Sequence, residues 1–170
     1  TTGVSSVAGS RYPYNASRAL NGLYMAKVAY CNHEAIESWT CGAQCRYFPG
    51  MTNVTTAWHN REDTQSWVGY NADHDEIVMS FRGSSNIDNW IEDFTFEFIP
   101  YPDGNCSASD CKVHKGFYES YQVLRGVMLP ALMSLVREHP SALVFISGHS
   151  QGAAQSQLAF LDVALHVPTT

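Results

Sequence analysis

Charge is scarce in this sequence. Asp, Glu, Lys and Arg make up 15% of its 170 residues, against 45% hydrophobic residues. Such a composition excludes a disordered chain. The net charge is −6 and no Lys/Arg cluster appears, so no nucleic-acid partner is expected. No apolar run approaches transmembrane length, which excludes a hydrophobic membrane helix. No C-x-x-C pairs with a second at zinc-finger spacing, and neither a metal nor a cofactor is expected. The chain opens Thr1-Thr2-Gly3, without Met and without a signal peptide. That opening is expected of a processed mature protein. No internal repeat and no linker interrupt it, so residues 1–170 are read within one domain.

What is present is organised around residues 142–154. Ala142 to Ile146 is a continuous apolar run of strand length. Gln151 to His166 is mostly Ala, Gln and Leu, which favour helix. Gly148-His149-Ser150-Gln151-Gly152 lies between them, a G-x-S-x-G in strand–turn–helix context. This is the pattern of a nucleophile elbow. Gly148 and Gly152 leave room for a tight turn. Ser150 is expected at its tip, with helix-start amides aimed where an oxyanion would develop. The backbone amide of Gln151 is the first expected oxyanion donor. Phe81-Arg82-Gly83-Ser84-Ser85 is an apolar strand that stops at a glycine, and Ser84 is assigned as the second donor.

Five cysteines are present: Cys31, Cys41, Cys45, Cys106 and Cys111. Cys41 with Cys45, and Cys106 with Cys111, form two natural short pairs. Cys31 has no obvious partner, and one outside this chain is expected. N-x-S/T sequons stand at Asn15, Asn53 and Asn105. Paired cysteines with sequons favour a secreted, extracellular protein.

Along the chain, residues 1–13 read as an extended arm. Asn15 to Tyr30 reads as a helix capped by Asn15, with Leu20, Leu23, Tyr24 and Val28 on its apolar side. Residues 31–53 read as a loop. Strands are expected at 54–59 and 65–70, then Glu76 to Arg82, the last two forming a hairpin across 71–75. Gly116 to Glu138 is an amphipathic helix in which Phe117, Tyr121, Leu124, Met128, Leu132 and Leu135 recur at helical spacing, with a kink expected at Pro130. Between hairpin and helix, Ile87, Trp90, Ile91 and Phe94 fall at i, i+3, i+4, i+7. Asp88, Asn89, Glu92 and Asp93 take the other face. A helix this short is marginal alone and must rest on something apolar. Directly after the oxyanion segment, it is expected to be a lid over an acyl cleft.

These stretches together resemble the class 3 lipases, the Rhizomucor-type α/β-hydrolases. The matching text is Phe81-Arg82-Gly83-Ser84 with the Ile87 to Asp93 helix, Val113-His114-Lys115-Gly116-Phe117, and Gly148-His149-Ser150-Gln151-Gly152. Tyr30-Cys31 through Cys41-Gly42-Ala43-Gln44-Cys45 looks like the yeast extracellular lipases of that family. The resemblance implies an α/β-hydrolase fold with a mostly parallel central sheet. It implies hydrolysis of triacylglycerol or related esters at an oil–water interface. Ser150 would be nucleophile, Ser84 and Gln151 oxyanion donors, and Ile87 to Asp93 the lid. It also implies that Cys31 is tied to the C-terminal end. Gln151 and Ala153 depart from the usual G-H-S-L-G-G. Two other readings stand beside this one: an esterase for feruloyl or other soluble esters on the same fold, and a non-catalytic lipid- or partner-binding homologue.

The chain order in this fold is Ser, then Asp or Glu, then His. Only Asp162 and His166 offer those types after Ser150. At about 1.5 Å per residue they lie roughly 18 and 24 Å along the helix, beyond reach of the serine. The base and its orienting acid are therefore expected in a C-terminal remainder of the same protein. A strand as apolar as 142–146 is likewise expected in the middle of a parallel sheet, buried on both faces.

Overall fold

The structure, a computed structural model, describes residues 14–85, 97–102 and 111–167. The chain begins with α1 (Ala16–Val28), α2 (His33–Glu37) and α3 (Ala43–Arg46). Strands β1 (Met51–His59), β2 (Thr64–Asn71) and β3 (Glu76–Phe81) follow. Then come β4 (Phe98–Pro100), β5 (Lys112–His114), α4 (Lys115–Glu138), β6 (Leu143–Gly148) and α5 (Gln151–His166).

The main sheet has the order β1-β2-β3-β6. β1 and β2 are antiparallel, as are β2 and β3; only β3 and β6 are parallel. The expectation of a mostly parallel sheet is therefore wrong: the described sheet is mixed and mostly antiparallel. The reason lies in the connections. Residues 60–63 and 72–75 are too short to carry a crossover and can only reverse the chain. Only the long excursion from β3 to β6 returns the chain in parallel. β6 forms one edge of the described sheet, with Leu143 57% exposed, so no second neighbour for it comes from the described residues.

Helices cover both faces. On one, Ile77, Met79 and Phe81 of β3 pack with Val68 against Tyr121, Leu124, Met128 and Leu132 of α4, joined by Leu158 and Ala159 of α5. On the other, Val78 and Trp67 pack against Met25, Val28 and Ala29 at α1 and Ile36 of α2. The alternation of Ile77, Val78 and Met79 between the two cores is the period of two that a strand imposes. α4 buries the helical-period residues read from the sequence, with Phe117 half-buried, and its helical run continues through Pro130.

The α1 face differs from expectation. Asn15 caps the helix, its Oδ1 accepting the Arg18 amide at 3.0 Å. Yet Leu20 and Leu23 are exposed, and the buried positions are Met25, Ala26 and Val28. Sheet contact decides this. Gly22 lies against Phe145 of β6, where an added Cβ would come 3.2 Å from the ring. That contact turns the small side of the helix inward.

Cys41 and Cys45 form a disulfide across α3. Cys111 is disulfide-bonded, while its expected partner Cys106 lies outside the described residues. Cys31 carries a free, half-buried thiol. The segment read as a loop, 31–53, contains α2, α3 and the start of β1.

Candidate active site

β6 runs straight into the turn that carries Ser150. Its φ of 55° and ψ of −125° lie where an L-residue is rarely found. Two glycines permit this. A Cβ on Gly148 would collide with the Gly152 carbonyl, and a Cβ on Gly152 with the carbonyl oxygen of Phe81. The start of α5 therefore presses directly on the end of β3. The amides of Gly152 and Ala153 turn back to the carbonyls of His149 and Ser150, both at 2.9 Å. Strain at a non-glycine residue persists only where the surroundings over-determine it, and such strain clusters at functional sites.

The same close packing brings the 82–85 segment to the elbow. A Cβ on Gly83 would stand 2.6 Å from Tyr30 Oη, 2.7 Å from the His149 carbonyl and 2.9 Å from Ser150 Cβ. Gly83 is thus needed for close backbone approach. Ser84 and Gln151, the expected oxyanion residues, are both buried beside this junction. Gly83 donates its amide to Tyr30 Oη at 3.1 Å, and Tyr30 Oη lies 2.8 Å from His149 Nδ1. His149 thus bonds to Tyr30.

Asp63, in the β1–β2 turn, holds the far side of the segment. It accepts the Ser85 amide at 2.6 Å, the Ser85 hydroxyl at 2.8 Å and the Ser84 hydroxyl at 2.9 Å. Arg82 Nη2 lies 2.6 Å from its other oxygen. Partial burial opposes ionisation, but the bonds from Ser85 and Ser84 and the Arg82 charge outweigh it. They hold the Asp63 carboxyl below the usual carboxylate range.

Asp162, His166 and His114 have other tasks. Asp162 is buried on α5, accepting Tyr121 Oη at 2.5 Å and Arg125 Nε at 2.6 Å. His166 Nδ1 lies 2.9 Å from the Asp162 carbonyl oxygen. His114 caps α4, its Nδ1 accepting the Phe117 amide at 3.3 Å. Gln155 is buried and donates to Thr64 and Ser120, tying α5 to β2 and α4. The expected lid residues Ile87, Trp90, Ile91 and Phe94, with Asn105, lie outside the described residues. Asn15 and Asn53 are exposed. Sequence reasoning missed the roles of Tyr30 and Asp63. Tyr30 entered there as the end of the first helix and as part of the family resemblance, and nothing local marks Asp63 in its turn.

A strained serine between a parallel strand and a helix, with a glycine segment packed on its Cβ, is the elbow of an α/β-hydrolase. The model of the lipase (class 3) family matches residues 78–170, and the chain belongs to that family. It is 38% identical over 101 residues to a lipase of Rhizomucor miehei, covering 59% of this chain and 27% of that protein. It is 28% identical over 171 residues to secreted mono- and diacylglycerol lipase 2 of Gibberella zeae, covering 82% and 42%. Among solved structures, lipase II from Rhizopus niveus superposes with a TM-score of 0.80 at 28% identity, over 89% of this chain and 56% of that one. The triacylglyceride lipase of Rhizomucor miehei gives 0.76 at 28%, over 91% and 58%. The chain thus spans less than two thirds of the length of each of these relatives.

Proposed function

We propose that this chain is the N-terminal part of a secreted serine hydrolase that cleaves carboxylic esters, with triacylglycerol as its substrate class. The observation that carries the reading is Ser150 at φ 55° with Gly83 against its Cβ. Ser150 Oγ attacks the ester carbonyl. Its proton passes to a histidine of the C-terminal remainder, oriented there by an acid, as no acid or histidine of α5 can serve. The carbonyl oxygen gains the negative charge and is held by Gln151 and Ser84. Collapse expels the alcohol with that proton and leaves an acyl-serine, which water hydrolyses by the same path.

The lid belongs to this reading as well. Ile87, Trp90, Ile91 and Phe94 recur in the sequence at helical spacing shortly after Ser84, and the fungal relatives include a lipase–inhibitor complex solved as a model for interfacial activation, 28% identical with a TM-score of 0.76. Secretion is supported by the disulfides and by the secreted relative from Gibberella zeae. Cys31 is assigned a cysteine of the C-terminal remainder. Asn15 and Asn53 are exposed and accessible to N-glycosylation. At Asn15 the capping bond uses Oδ1, which leaves Nδ2 for a glycan. Asn105 is proposed from its sequon alone. The edge strand β6 and the groove of 380 Å³ beside it, lined by Val136, Val144, Ile146, Phe160 and Val163, are the surface that further strands of the same domain would cover.

The test is a serine-directed phosphonate ester on the intact protein. It should label Ser150 and stop ester hydrolysis, and Ser150→Ala should abolish both while the fold remains. Labelling elsewhere, or none in an active sample, overturns the reading.

A further inference from the structure

We propose that Asp63 is a positioning residue for the oxyanion hole, setting the place of Ser84 from the opposite side of the sheet end; the proposal rests on the serine-hydrolase reading above. Asp63 touches neither Ser150 nor its immediate neighbours, and it acts through the 82–85 segment.

The geometry is that of a segment gripped on both sides of one residue. The Gly83 amide is bonded to Tyr30 Oη at 3.1 Å, and the Ser85 amide to Asp63 Oδ2 at 2.6 Å. The amides flanking Ser84 are therefore both fixed to other elements. One grip faces the nucleophile and the other the β1–β2 turn. Arg82, at the exit of β3, is drawn to the same carboxylate at 2.6 Å. An ionised carboxylate offers about four lone-pair sites. Here Arg82, the Ser84 hydroxyl, and the Ser85 amide and hydroxyl use them. Asp63 thus gathers three of four consecutive residues, a density of bonds that fixes position.

The turn itself is fitted to this task. Asp63 has φ 43°, a left-handed conformation that Asp and Asn tolerate better than most residues. Its amide bonds back to the Asn60 carbonyl at 3.2 Å. The carboxylate is therefore presented by a closed turn between β1 and β2, the two strands next in the sheet after β3.

Two accounts of Asp63 differ in what they predict. As a half-exposed ion pair with Arg82, it would contribute little to stability and nothing to rate. As a positioning residue, it governs where a transition-state donor stands. Misplacement by about 1 Å costs on the order of 100-fold in rate. Its loss should then appear in kcat, with KM unchanged.

The test uses the intact protein and a dissolved short-chain p-nitrophenyl ester. Asp63→Asn keeps the length and suits the left-handed backbone, but it removes the charge and offers the Ser85 amide one acceptor fewer. We expect kcat to fall roughly 10- to 100-fold, at or below the loss of one oxyanion donor. KM should stay within about twofold and thermal stability near that of the wild type. Asp63→Glu keeps the charge but displaces it by one methylene. It should also lower kcat without changing KM, and it carries the test if the Asn variant does not fold. Phosphonate labelling of wild-type Ser150 separates the two levels. No labelling in an active sample overturns the reading and this proposal together. Labelling with kcat of the folded variants within twofold of wild type overturns this proposal alone.

Discussion

The phenol oxygen of Tyr30 bridges the Gly83 amide, at 3.1 Å, and Nδ1 of His149, at 2.8 Å. It thus couples the segment that leaves β3 to the residue before Ser150. Tyr30→Phe keeps the ring but strips the acceptor from a buried backbone amide, a loss of about 1–3 kcal/mol for the group left unpaired. On a soluble ester, kcat should drop roughly 3- to 30-fold, since about 1.4 kcal/mol is tenfold in rate. A rate equal to wild type would mean that the bridge does not bear on the elbow.

Two glycines should respond to the same substitution with opposite sign. Gly152→Ala drives a methyl into the backbone carbonyls of Phe81 and Arg82, which cannot yield as a side chain can. A loss of about 3 kcal/mol or failure to fold is expected. Gly126, inside α4, has nothing within 4 Å of an added Cβ. Gly126→Ala should stabilise by about 0.5–1 kcal/mol through helix propensity alone. Urea denaturation of the two variants of the intact protein checks both.

Asp162 should supply charge-dependent stability. Burial opposes ionisation, but the bonds from Arg125 and Tyr121 prevail, and its carboxyl titrates below the usual range in the folded state. The unfolded value is about 3.9. The contribution is therefore complete above that pH and is lost as pH falls through the lower folded value. At pH 7, Asp162→Asn should cost about 2–3 kcal/mol. That is less than the ~3–5 of a fully buried pair, because Arg125 is 29% exposed. The gap between variant and wild type should narrow well below pH 4. A gap that persists there would assign the effect to packing.

Trp90 tests the lid. Moving Ile87, Trp90 and Ile91 into lipid is worth several kcal/mol at ~25 cal/mol per Å², enough to shift a closed–open equilibrium of a few kcal/mol. Trp90→Ala should reduce hydrolysis of emulsified long-chain triglyceride much more than hydrolysis of a soluble short-chain ester. Equal losses would make Trp90 a core residue, and an unchanged rate on the emulsion would remove the lid and favour a soluble-ester substrate.

The elbow was legible in the sequence because its constraint is local. Gly148 and Gly152 stand four residues apart around Ser150, and backbone sterics alone demand them there. The β2–β3 hairpin, the Asn15 cap and the buried stripe of α4 were legible for the same reason, since each is a short-range pattern of turn, cap or period. What only the tertiary structure decided involves surfaces that meet from afar. The direction of the sheet came from which strands the short connections joined, and it is mostly antiparallel where the fold family led to the opposite expectation. The inward face of α1 was chosen by Phe145 of β6, which admits Gly22 and leaves Leu20 and Leu23 outside. Tyr30 and Asp63 reach the 82–85 segment across 53 and 22 positions of chain. A hydrogen bond between residues so far apart leaves no periodicity in the sequence. The Asp63 bonds exist because β1, β2 and β3 lie side by side, and the Tyr30 bond because α1 packs on β3 and β6.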